Sequence, residues 1–82
     1  MRFERLDIRP LRLGEGPVWD ERRGQVFLCD IDGARLYAVD PARGAVGDWP
    51  FEDKVCSVGL CDSGRLLIAL AREIIVFDPD TN

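Results

Sequence analysis

The residues of this chain that could do chemistry are carboxylates and thiols, because the 82 residues contain no histidine. That excludes Ser–His–Asp and Cys–His nucleophilic sites and imidazole metal ligation within the chain. Among the acidic residues, Glu15 has the most distinctive setting, Gly14-Glu15-Gly16-Pro17. The flanking glycines let the backbone turn sharply, and Pro17 then directs it into an extended path. Carboxylate oxygens are hard donors that suit Ca²⁺, Mg²⁺, Mn²⁺ or Zn²⁺. One carboxylate is not a site, however, since calcium takes about six to eight oxygens and catalytic zinc about three protein ligands. On these residues alone Glu15 reads as a solvated side chain in a Gly-rich loop. Gly14-Glu15-Gly16 contains G-x-G but lacks the third glycine and following helix of a dinucleotide-binding turn.

The other candidates have plainer readings. Asp30-Ile31-Asp32-Gly33 is superficially like the start of a calcium loop, but residues 33–41 supply no further ligands at the required spacing, so a hairpin turn is expected. The three cysteines, Cys29, Cys56 and Cys61, form neither an even disulfide framework nor a C-x-x-C pair. Cys29 ends the apolar run Val26-Phe27-Leu28-Cys29 and is expected to be a buried thiol acting as a small hydrophobe. A reducing compartment, the cytoplasm, follows. Arg22 and Arg23 read as a solvated turn. Trp19 and Trp49 read as packing anchors.

Composition sets the frame. A hydrophobic share of 46% with net charge −4 describes a globular chain without the basic face that nucleic acid demands. No apolar run reaches the ~18–20 residues of a membrane-spanning helix, and the charged start Met1–Asp7 is unlike a signal peptide.

The elements that position these residues are short. Apolar runs at Pro17–Asp20, Gln25–Asp30, Leu36–Asp40, Val46–Phe51, Val55–Leu60, Leu66–Leu70 and Ile74–Phe77 alternate with turn formers such as Asp32-Gly33, Asp40-Pro41 and Asp62-Ser63-Gly64. Arg2–Ile8 alternates imperfectly as a leading segment. Leu66, Leu70 and Ile74 also fit a helical spacing, but an internal repeat decides for strands. Val18–Leu28 matches Leu60–Ile68, and Leu36–Gly44 matches Ile74–Asn82, both about 40 residues apart. In each unit four apolar residues lead into Asp-Pro-x-x-Gly/Asn, where proline fixes φ and the last residue tolerates a positive φ. The matched residues Asp20 and Asp62 are expected to bond turn backbone. A period near 40 with about four strands per unit is the mark of a β-propeller blade, whose inner strands are covered on both faces. The expected division is a leading segment 1–12, a first blade 13–52 and an incomplete second blade 53–82, the chain being the N-terminal piece of a longer protein.

These features carry a family likeness. Leu13-Gly14-Glu15-Gly16-Pro17-Val18-Trp19-Asp20, then Val26–Ile31, Leu36–Gly44 and Ile74–Thr81, resemble the N-terminus of the SMP-30/gluconolactonase family, which includes regucalcin. The resemblance implies an all-β fold, a six-bladed propeller of antiparallel four-stranded blades, of which about the first two are present. It implies a divalent metal in the central channel and hydrolysis of sugar lactones. The metal would polarise the lactone carbonyl, with a general base from a later blade. The family's first metal ligand is the Glu of this motif, here Glu15; its other ligands and its substrate residues lie in later blades. The implied partners are a small-molecule sugar lactone and the remaining blades, or other copies if the fragment stands alone. Nucleic acid and membrane are not expected, and the isolated piece is expected to be inactive. The alternative function is a calcium-binding or interaction propeller without significant catalysis.

Overall fold

Turn residues spaced every few positions, with β-branched and aromatic residues between them, favour short antiparallel strands over helices. The computed structural model, which describes Leu11 and residues 14–81, contains seven: β1 (Gly14–Asp20), β2 (Gln25–Asp30), β3 (Arg35–Asp40), β4 (Gly44–Pro50), β5 (Val55–Leu60), β6 (Leu66–Leu70) and β7 (Ile74–Phe77). They form two antiparallel sheets, β1-β2-β3-β4 and β5-β6-β7. The fold is therefore all-β, with the antiparallel order expected of a propeller fragment. The leading segment Arg2–Ile8 lies outside the described residues. Ile74 pairs with Ala69 and Phe77 with Leu66, so the stretch with helical spacing is a hairpin. Its period-two register decides which side chains share a face.

The core lies between the two sheets. Phe27, Cys29, Leu36 and Ala38 of the first sheet meet Val55, Leu66 and Ile68 of the second, all essentially buried. A chain of rings extends this contact: Phe27 to Trp49 at 6.4 Å, Trp49 to Phe77 at 5.6 Å and Phe77 to Phe51 at 5.5 Å between centroids. The last two pairs are edge-on, an arrangement that adds to the area the rings bury. Trp49 is thus the expected packing anchor, but Trp19 is not. Val18 stands opposite Phe27 on the core face, and strand alternation sends Trp19, opposite Val26, to the other face. Trp19 is 52% exposed. The second sheet likewise shows its outer face, where Leu67, Ile74 and Val76 are exposed.

The turns bear out the repeat. In the first Asp-Pro turn Asp40 Oδ1 accepts the Ala42 N–H at 2.8 Å, and in the second Asp78 Oδ1 accepts the Asp80 N–H at 2.9 Å. Gly44, at the exit of the first, has φ 88°. Asp20 bonds turn backbone as expected, accepting the N–H groups of Arg22 and Arg23 at 3.1 and 3.3 Å. Asp62 takes part through its carbonyl instead, which accepts Arg22 Nη1 at 2.8 Å.

Arg22 is exposed, as a solvated turn requires, but Arg23 departs from that expectation. Arg23 donates to Asp20 Oδ2 at 2.6 Å, to the Gly64 carbonyl at 2.6 Å and to both carboxylate oxygens of Asp80 at 3.2 and 2.9 Å. One planar guanidinium joins the β1–β2 turn to the β5–β6 turn and to the segment after β7, a task suited to its forked donors. Its bonds to Asp80 and Asp20 raise its own pKa, and in turn they hold the Asp80 carboxyl below the ordinary carboxylate value. Arg72 does the same to Asp53 at 3.0 Å. A carboxylate with a lowered folded pKa contributes stability in full above the ordinary carboxylate range and loses it as pH falls through the lowered value. The melting temperature should therefore fall on acidification below about pH 4. Arg23→Lys, whose single ammonium cannot meet three partners at once, should cost about 1–3 kcal/mol through Asp20 and the Gly64 carbonyl. It should also flatten the acid limb of that melting curve, which thermal denaturation at pH 3 to 7 reads directly.

Candidate functional site

Glu15 occupies the first turn of the pleat in β1, with an exposed side chain. The register opposes Gly14 to Asp30 and Glu15 to Cys29, then breaks between Glu15 and Val18 before pairing resumes. Gly16 sits in that break with φ 54°, a left-handed backbone that glycine adopts without steric cost. The Gly-rich segment is therefore a bulged strand end and not a loop, with the Glu15 side chain exposed on it. The first strand of the second sheet has the same device: the β5 register shifts between Val55 and Ser57, leaving exposed Cys56 at the irregularity. β1 and β5 are neighbours, and each carries its register break near its start.

Opposite Gly14 and Glu15, and in the turn that follows, lie groups that sequence reasoning placed loosely. Cys29, opposite Glu15, is fully buried, and burial, with Cys56 nearby, pushes its thiol up to about 11. It is a packing residue and not a nucleophile. Asp30 is 3% exposed, and its Oδ1 accepts the Gly33 N–H at 3.1 Å. Asp30-Ile31-Asp32-Gly33 is the hairpin turn expected, closed by the Ala34 N–H on the Ile31 carbonyl at 3.2 Å. Asp32 turns outward to Lys54 Nζ at 3.6 Å. Nothing in the sequence marked Asp30 as buried and Asp32 as exposed: β2 ends at Asp30, and Asp32 lies in the turn beyond it.

Among the described residues no group of three or more His, Cys, Asp or Glu converges as a metal cage. Clefts open elsewhere: one of about 470 Å³ over Phe51, Asp53, Leu70, Arg72, Glu73 and Ile75, one of about 350 Å³ over Asp40, Arg43, Trp49 and Pro79, and one of about 240 Å³ beside the Arg22–Arg23 clamp. None of these three includes Glu15. No helix among the described residues is long and apolar enough to cross a membrane.

An all-β chain of two packed antiparallel sheets, with a carboxylate on the bulged end of the first strand, defines a recognisable class. Residues 13–82 match the SMP-30/gluconolactonase/LRE-like family, and the chain belongs to it. It is 33% identical over 70 residues to a 6-deoxy-6-sulfogluconolactonase of Pseudomonas putida, a match covering 85% of this chain and 24% of that protein. It is 41% identical over 59 residues to the regucalcin of Gallus gallus, covering 72% of this chain and 20% of that one. With a pentonolactonase of Haloferax volcanii it shares 40% identity over 62 residues, 74% of this chain and 21% of the other. Sugar lactonases thus stand among its relatives, and the chain spans about a fifth to a quarter of their length. No solved structure matches significantly.

Proposed function

We propose that this chain forms the N-terminal part of a divalent-metal-dependent sugar-lactone hydrolase built as a six-bladed β-propeller. Residues 13–52 would be the first blade, 53–82 the start of the second and 1–12 a leading segment. The observation that carries this reading is the family match across residues 13–82, with sugar lactonases among the relatives. Two features of the fold support the propeller: the sheets pack face to face with β1 beside β5, and the second sheet leaves Leu67, Ile74 and Val76 open for a further unit.

Glu15 would be one ligand of the metal. Its exposed carboxylate offers hard oxygen donors, which fits a divalent cation, and the remaining donors would come from other blades. When bound, the ion supplies Lewis acidity toward the lactone carbonyl. The contribution of this chain is to fix one carboxylate on a strand end and to exclude water behind it with Phe27, Cys29 and Leu36. The 82 residues alone hold one donor and would be inactive. The free cysteines fit a reducing, cytoplasmic setting.

Chelation tests the reading. The full-length protein should hydrolyse an aldonolactone, lose that activity on exhaustive treatment with a chelator, and recover it with Mn²⁺, Zn²⁺ or Ca²⁺. Activity that survives complete metal removal would contradict metal dependence. Metal binding with no lactone turnover would favour a non-catalytic propeller.

A further inference from the structure

Resting on the reading of Glu15 as a metal ligand, we propose that Asp30 is its positioning residue: the buried carboxylate, with the turn it closes, fixes the end of β1 that presents Glu15. The argument begins with the bulge. Pairing between β1 and β2 is interrupted between Glu15 and Val18, so the centre of β1 does not hold Gly14 and Glu15 in place. What locates them is the short ladder segment in which Gly14 faces Asp30 and Glu15 faces Cys29. The position of Glu15 is therefore set by the last two residues of β2.

That end of β2 is unusually constrained. Asp30 is 3% exposed yet lies outside the apolar core cluster, and a buried carboxylate is costly unless hydrogen bonds compensate it. Its Oδ1 accepts the Gly33 N–H at 3.1 Å. The carboxylate presses so closely on the turn that a Cβ on Gly33 would fall 2.2 Å from Oδ2. The next residue, Ala34, has φ 54°, a conformation that non-glycine residues keep where their surroundings over-determine it. Those surroundings are the Ala34 N–H on the Ile31 carbonyl and the Ala34 carbonyl accepting the Phe51 N–H at 2.9 Å. The turn is thus tied at one side to Asp30 and at the other to the segment that joins the two sheets. Metal ligands must be held to a fraction of an ångström, and the groups that orient them share in the affinity.

The test is the dissociation constant for Mn²⁺, measured by calorimetry on the metal-stripped full-length protein, with melting midpoints read alongside. Asp30→Ala should weaken Mn²⁺ binding about 10-fold. Asp30→Asn keeps an oxygen to accept the Gly33 N–H and should stay within about 3-fold of wild type. Gly33→Ala drives a methyl group into the carboxylate and should weaken binding as Asp30→Ala does, so it carries the test if Asp30→Ala does not fold. A purely structural role would lower the melting midpoint of these variants without moving the dissociation constant, and that result would overturn the proposal. Glu15→Gln separates the two levels. If Glu15→Gln loses Mn²⁺ binding while folded Asp30→Ala and Gly33→Ala keep it, the positioning role alone falls. If Glu15→Gln binds like wild type, the metal reading falls and the positioning role with it.

Discussion

Phe27→Ala should leave this chain largely unfolded at room temperature. Phe27 is fully buried where the two sheets meet, and its ring stands 6.4 Å from that of Trp49. Removing it deletes apolar contact and opens a cavity bordered by Leu36, Leu66 and Ile68, which cannot close without separating the sheets. Phe→Ala in such a site costs about 3–5 kcal/mol. An 82-residue chain with two thin sheets sits toward the low end of the roughly 5–15 kcal/mol typical of domains, so the loss is most of what there is. Loss of the urea unfolding transition, with collapse of the near-ultraviolet tryptophan signal, would record it. Leu67→Ala is the contrasting substitution, since Leu67 is 45% exposed on the open face of the same fold. It should cost no more than about 1 kcal/mol in this chain. Equal effects of the two substitutions would mean that the core does not lie between the sheets.

That contrast shows which parts of the fold were legible in the sequence. The strands were, because an Asp-Pro-x-x-Gly/Asn turn and an Asp-led turn closed by Gly24 or Gly64 each occur twice, about 40 residues apart, and turn chemistry is local. The two Asp-Pro turns carry the same side-chain bond, from Asp40 to Ala42 and from Asp78 to Asp80, as repeated sequence should. What could not be read was anything decided by the packing of one sheet on the other. Trp19 and Trp49 look alike in the sequence, but register sends one to the open face and the other into the ring stack. Arg23 looks like a surface charge, yet two of its three partner residues, Gly64 and Asp80, lie far along the chain, where sequence proximity does not suggest them. The surroundings of Glu15 show the same division. The sharp turn at Gly14-Glu15-Gly16 and the extended path after Pro17 were legible in the motif, whereas the bulge that sets Glu15 apart from the rest of β1, and the burial of Asp30, depend on strand pairing.

The second large effect concerns Glu15 itself. On the proposed reading, Glu15→Gln keeps the size and shape of the side chain but removes the charge and one of the hard oxygens a divalent ion requires. Because Glu15 is exposed and outside the core, the substitution should change stability by less than about 0.5 kcal/mol. Function should respond very differently. Metal assistance lowers a hydrolytic barrier by several kcal/mol, so losing a ligand should reduce turnover on the order of 10²–10³-fold or more. A drop in activity with the melting midpoint unchanged would be the signature of a lost ligand, and a drop in both that of a damaged strand.

The most direct measurement is therefore the rate of aldonolactone hydrolysis by the full-length protein at saturating Mn²⁺, wild type against Glu15→Gln. The account predicts loss of metal-dependent turnover in a variant that melts at the wild-type temperature. Wild-type turnover in that variant would contradict it.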